Sequence, residues 1–151
     1  MLDVALLKQL VEDMIPFNRW LGVKAERIER GHVTLSIAWR EELIGDPIRQ
    51  ALHGGVISAL ADTAGGLCIW TALENPMTER LSTVDLRIDY LRPGRHETLI
   101  AHASLLRLGA KLAWSDIKLF HPSAETELIA TARGVYAIKS PKRDATRPLD
   151  A

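Results

Sequence analysis

Apolar side chains recur at helical spacing in the opening stretch LDVALLKQLVEDMI, where Leu6, Leu7, Leu10, Val11 and Met14 share one face. Asp3 stands where an N-cap belongs. Pro16 is expected to stop this helix, because its ring disfavours the α conformation in the residue before it. The period then drops to two. Val33, Leu35, Ile37 and Trp39 alternate with His32, Thr34, Ser36 and Ala38, as on a half-buried strand. A hairpin of Val23–Glu29 and residues 32–39 follows, turning at Arg30-Gly31. A polar loop over residues 40–51, containing Gly45-Asp46-Pro47, leads into HGGVISALADTAGGLCIWTAL. The length and alanine content of that run predict one long helix over residues 53–73, ended by Glu74-Asn75-Pro76.

The second half reads as strand throughout. Ser82, Val84, Leu86, Ile88 and Tyr90 alternate with Thr83, Asp85, Arg87 and Asp89, the clearest two-residue period in the chain. Further strands are predicted over residues 97–108, 111–120 and 127–138, with turns at Arg92-Pro93-Gly94, Gly109 and Pro122-Ser123. The order helix, two strands, long helix, four strands implies an α+β fold. In it a mostly antiparallel six-stranded sheet packs on one long central helix, with a further helix at the N-terminus. Residues 1–138 form a single domain in this reading, and residues 139–151, KSPKRDATRPLDA, a polar C-terminal tail.

The 151 residues are 47% hydrophobic and 25% charged, ordinary for a globular domain with a real core. Lysine plus arginine and aspartate plus glutamate both number 19, so there is no basic surplus to neutralise phosphates and nucleic acid is not an expected partner. A single cysteine, Cys68, excludes an intrachain disulfide and a cysteine-only metal site; it lies in an apolar helical stretch and is expected to be a buried, inert thiol. Five scattered histidines stand without acids at ligand spacing, so no metal is expected. Residues 1–15 carry Asp3, Lys8, Glu12 and Asp13 among their apolar positions, unlike a signal peptide or a membrane span. A cytoplasmic protein with no membrane partner is the expectation.

Candidate chemistry concentrates on the central helix. Its start, His53-Gly54-Gly55, exposes backbone N–H groups that lack helical partners. Glycine lets a ligand approach them, so the turn either holds an anion or developing oxyanion or is simply flexible. Asp62 is the sole acid of residues 53–73 and shares a face with small residues, Gly55, Ser58, Ala59, Gly65 and Gly66, and with Ile69. Val56, Ile57, Leu60, Ala64 and Leu67 make the opposite, sheet-facing stripe. In that half-dry setting the carboxylate either makes structural hydrogen bonds or serves as base or nucleophile. Asp62 lies seven residues beyond Gly55, about 10 Å along a helix axis. One carbonyl carbon reaches both groups only if they come from two chains with antiparallel helices. The spacing therefore predicts an obligate oligomer with two equivalent sites.

The string LHGGVISALADTAGG, followed by TVDLRIDYLRPG and LRLGAKLAW, resembles the hotdog-fold thioesterase superfamily, closest to its phenylacetate-pathway (PaaI-like) branch. The similarity runs over about residues 16–136. It implies a hotdog fold, a homodimer or homotetramer, and hydrolysis of an aryl- or short- to medium-chain acyl-CoA. Coenzyme A then enters as part of the substrate, with no other cofactor. It also implies roles by position. Gly55 N–H polarises the thioester carbonyl, with Gly54 beside it at the substrate. Asp62 is nucleophile or general base, Thr83 positions the water, and His53 supports the helix start. Relatives often carry an amide side chain ahead of the HGG motif; six residues before His53 this chain has Pro47, and Gln50, three before, is either its substitute or a solvated loop amide. Phe17 and Trp20 are candidates to line the acyl pocket, and Arg92, Arg95, Arg107 and Lys111 to meet the coenzyme A phosphates. Asp85 and Arg87 fit an oligomer contact better than catalysis. A hotdog hydratase or dehydratase and a non-catalytic acyl-CoA-binding protein are the alternatives.

Overall fold

The computed structural model describes residues 3–140. Asp3 caps the first helix, α1 (Val4–Gln9), its carboxylate accepting from Leu6 N at 3.0 Å. The predicted helix does not continue to Ile15 as one piece. The backbone widens into a π-helical turn at Leu10–Met14, and Pro16 then opens a second helix, α2 (Pro16–Leu21). Proline suits that first position because the N–H it lacks would have no helical partner there. Gly22, at φ 76°, closes α2 in the left-handed region. Glu12, in the π-turn, accepts from Ala25 N at 2.9 Å and from Lys24 Nζ at 3.1 Å. The N-terminal helices are thereby tied to the first strand.

The sheet has the order β1-β2-β6-β7-β8-β5, antiparallel at every pairing. Its strands are β1 (Val23–Glu29), β2 (His32–Ile37), β5 (Arg80–Tyr90), β6 (Leu99–Leu108), β7 (Leu112–Phe120) and β8 (Ala130–Lys139). The loop over residues 40–51 carries a short two-stranded ladder, β3 (Ile44–Asp46) with β4 (Ala51–Leu52). The long helix α3 spans Gly54–Trp70, three residues short of the predicted end, and packs against all six strands of the main sheet. Four strand ends also move inward from expectation: β2 stops at Ile37, β6 starts at Leu99, β7 at Leu112 and β8 at Ala130. Lys139, placed in the tail by its polarity, completes β8; residues 141–151 lie outside the described residues.

Inward-facing alanines, among them Ala101, Ala103 and Ala113, let the helix lie close to the sheet, and Leu35, Leu60, Leu99, Ile117 and Leu119 fill the interface almost free of solvent. Each of these large side chains contributes roughly 1.5–3 kcal/mol on burial. The predicted stripe of Val56, Ile57, Leu60, Ala64 and Leu67 is buried. Gly65 and Ile69, expected on the open small face beside Asp62, are buried as well, because β7 and β8 curl over the second half of the helix. Gly55 stays exposed, and Ser58, Ala59 and Gly66 stay partly so. Cys68 is buried, its Sγ 3.2 Å from Gly31 O, and desolvation pushes its thiol up to about 12, so it is not a nucleophile.

Strand β5 has an irregularity that decides where Thr83 points. Thr83 pairs with Tyr136 and Asp85 with Val135, which leaves Val84 as an extra, unpaired residue. This β-bulge reverses the phase of the strand. Thr83 therefore shares the inner face with Leu86 and Ile88, whose partners Gly134 and Ala132 also face α3, while Val84 is 60% exposed. The plain alternation in the sequence had put Thr83 with Asp85 and Arg87 instead.

Candidate active site

Asp62 is held from two adjacent strands. Thr83 Oγ1 donates to its Oδ1 at 2.9 Å, and Tyr136 Oη donates to its backbone carbonyl at 3.0 Å. Burial first, and then the neighbouring Asp62 charge, push the Tyr136 phenol well above its ordinary value, so it remains a donor. Beside the carboxylate opens a cavity of about 540 Å³ between α3, β5 and the N-terminal helices. Asp62, Thr83, Gly66 and Tyr136 line it together with an apolar set, Leu10, Val11, Ile15, Leu67, Trp70 and Leu81. Asn18, Thr63, Glu79 and Arg80 complete the lining. From Asp62 to Trp70 the helix rises about 12 Å, which sets the depth available to a chain entering at the carboxylate.

At the other end of the open face, His53 caps α3. Its Nδ1 accepts from Gly55 N at 2.8 Å, and its carbonyl accepts from Val56 N at 3.0 Å. The Gly55 N–H, expected to face a substrate carbonyl, is thus occupied by the residue two positions before it. Tyr90 Oη donates to Gly54 O at 3.1 Å, which ties the first turn to the end of β5. Asp62 and Gly55 do not converge within one chain; seven residues of helix separate them.

The remaining candidates scatter. Phe17 and Trp20 do not line the Asp62 cavity. They stack on each other at 6.4 Å between centroids, 55% and 65% exposed, with the Arg40 guanidinium 5.6 Å from the Trp20 ring. They face outward because α2 turns its Asn18 and Leu21 side inward. Gln50 holds a left-handed backbone at φ 57°, and its amide donates to Pro47 O at 2.9 Å, so its side chain serves its own loop. Arg92 donates to Leu128 O at 2.9 Å beside the turn that Leu52 N joins at Gly94 O, near the helix start. Arg49 and Arg95 border a smaller groove at that same turn. Arg107 lies over the Trp114 ring at 5.4 Å, and Lys111 accepts at its carbonyl from Ile138 N. Both stand toward the opposite end of α3, where the 108–110 turn meets Leu73, so Arg92 and this pair are not one cluster. Asp85 and Arg87 point outward in a shallow groove with Asp116 and Arg133. Tyr136 was missed: its inward position in β8 reads as core, and nothing in its local sequence marks its reach to Asp62.

Among the described residues, no three of histidine, cysteine, aspartate and glutamate gather as metal ligands, and no helix is long and apolar enough to cross a membrane. The model of the thioesterase superfamily matches residues 50–127, which hold the helix start, Asp62 and Thr83. The chain belongs to that superfamily. This thioesterase is 39% identical over 135 residues to the medium/long-chain acyl-CoA thioesterase YigI of Escherichia coli, covering 82% of this chain and 86% of that protein. A Shewanella oneidensis crystal structure related to the thioesterase superfamily superposes with a TM-score of 0.80 at 29% identity, over 90% of this chain and 95% of that one. The thioesterase HI1161 of Haemophilus influenzae gives the same TM-score, 0.80, at 22% identity over 93% and 92% of the two chains, a likeness of fold. The fold is the hotdog, a sheet wrapped on a central helix, and the protein is a thioester hydrolase.

Proposed function

We propose that this thioesterase hydrolyses acyl-CoA esters of medium to long aliphatic chain, with Asp62 as its catalytic carboxylate. The observation that carries this is a carboxylate pinned by Thr83 at the edge of an apolar cavity. The apolar part of that lining is mostly aliphatic, Leu10, Val11, Ile15, Leu67 and Leu81 beside Trp70, which suits a flexible chain. The name of the Escherichia coli relative supports the same chain length.

In this reading the protein works as a homodimer with antiparallel α3 helices. The thioester carbonyl sits at the helix start of one subunit, where Gly55 N–H turns from the His53 ring to the developing oxyanion. Asp62 of the other subunit then acts by one of two routes. As nucleophile it bonds to the carbonyl carbon, the C–S bond breaks, and the thiolate leaves with the electron pair and takes up a proton. Water then opens the resulting anhydride. As general base it takes a proton from a water held at Thr83, and that water attacks instead. The coenzyme A phosphates lie against Arg92, with Arg49 and Arg95, at the mouth beside the helix start.

Free thiol release across a series of acyl-CoA chain lengths tests the reading. Maximal rates on medium or long chains are expected. Asp62→Asn and Asp62→Ala should each lower kcat on the order of a hundredfold or more. Undiminished rates in both variants would refute the assignment of Asp62, and absence of thiol release by the unaltered protein would leave it a binding module. In a single turnover in ¹⁸O water, label entering the Asp62 carboxylate identifies that group as the nucleophile, and trapping of the anhydride identifies it where water opens the acyl carbonyl instead.

A further inference from the structure

We propose that Tyr136 is a positioning residue for Asp62, fixing the main chain of that residue while Thr83 fixes its carboxylate. The inference rests on the catalytic role proposed for Asp62. Thr83 and Tyr136 are direct cross-strand partners on β5 and β8, and both hydroxyls reach the same helical residue, at 2.9 Å and 3.0 Å. Side chain and peptide are thus clamped from one place on the sheet. A mid-helix carbonyl already accepts the N–H four residues on, so the phenol is an additional donor there.

The surroundings are cleared for this contact. A Cβ on Gly65 would run into Tyr136 Oη and into the Ser115 hydroxyl beside it, and a Cβ on Gly134 would run into the Tyr136 ring. One glycine lies in the helix and the other in the strand, and each is unfavourable in the interior of its element. Both keep the lane between the Tyr136 backbone and the Asp62 carbonyl open. Because the phenol is a donor at every working pH, the contact does not switch.

Tyr136→Phe keeps the ring and deletes the hydroxyl. Per folded molecule, checked by circular dichroism and thermal melting, kcat should fall roughly three- to tenfold, the worth of one neutral hydrogen bond, with KM within about twofold. Gly65→Ala, which drives the phenol off the carbonyl, should lower kcat similarly. The double variant should lose no more than the worse single one, because both remove one contact. Unchanged kcat in folded Tyr136→Phe, a loss confined to KM, or two losses that multiply would each overturn the proposal. If Tyr136→Phe does not fold, Gly65→Ala in a Ser115→Ala background, which removes the second hydroxyl its Cβ would meet, decides by the same kcat criterion. Asp62→Asn separates the two levels. Should it stay active, the catalytic reading falls and this inference with it; should it be dead while Tyr136→Phe runs at full rate, only the positioning role falls.

Discussion

Thr83 and His53 each hold a polar group in place on α3, but they do so with different consequences. His53 satisfies an amide at the helix start that would otherwise face solvent, a capping contact of about 1 kcal/mol. Thr83 crosses from another element to reach Asp62, so its hydroxyl sets the direction of the carboxylate. Thr83→Val retains the shape and removes the donor. It is expected to cost roughly 1 kcal/mol of stability and to lower kcat about tenfold, whereas Thr83→Ser should keep most of the rate. Thermal melts together with thiol release would check both. Asp62 was legible as a candidate because it is the sole acid of its helix and stands seven residues after the second glycine of HGG, where the resemblance to the superfamily puts a carboxylate. Tyr136 was not, because a buried tyrosine at an inward strand position looks like packing until its hydroxyl is traced. Phe17 and Trp20 misled for the opposite reason. Aromatic side chains suggest a pocket, yet α2 presents them to solvent while the smaller Leu10, Val11 and Ile15 roof the cavity.

The main helices and strands were largely readable from period, length and composition; α2 and the short β3–β4 ladder were not, and two further departures share one cause. Where backbone geometry departs from an ideal repeat, side-chain alternation no longer reports which way a residue faces. The π-turn at Leu10–Met14 breaks α1 without any proline or glycine inside it, so no local signal announces the break. The bulge at Val84 hides in the most regular alternation of the chain. Deleting Val84 removes the extra residue and keeps the pairing on either side of it, so Thr83, Leu86 and Ile88 still share the inner face, now at plain two-residue spacing. The variant is therefore expected to stay folded, with a melting temperature changed by a few degrees. Its kcat should stay well above that of Thr83→Val, read by the same thiol assay. A loss as deep as that of Thr83→Val would show that Thr83 needs the bend of the bulge, beyond its inward face, to reach Asp62.

A single chain presents each half of the proposed chemistry but not the two together. Gly55 and Asp62 lie on one helix at a separation that a thioester carbonyl does not bridge, about 10 Å of axial rise. β5, which carries Thr83, is an edge strand with Val84, Asp85 and Arg87 open to solvent, a surface that a second copy is free to cover. If each site takes its helix start from one subunit and its carboxylate from the other, activity has a combinatorial signature. Asp62→Asn chains keep a sound helix start. Gly55→Val chains keep a sound carboxylate, while their added Cβ, placed 2.8 Å from His53 Nδ1, crowds the opening turn. Each variant alone should be nearly inactive. Co-expressed in equal amounts, they should pair at random so that about half of the dimers are mixed, and each mixed dimer owns one intact and one doubly damaged site. The unfractionated mixture should thus recover about a quarter of the unaltered rate per chain, and mixed dimers isolated by tandem purification through two different tags about half, both measured by thiol release. Sites built within one chain would give no recovery at all, since neither variant chain could complete one alone.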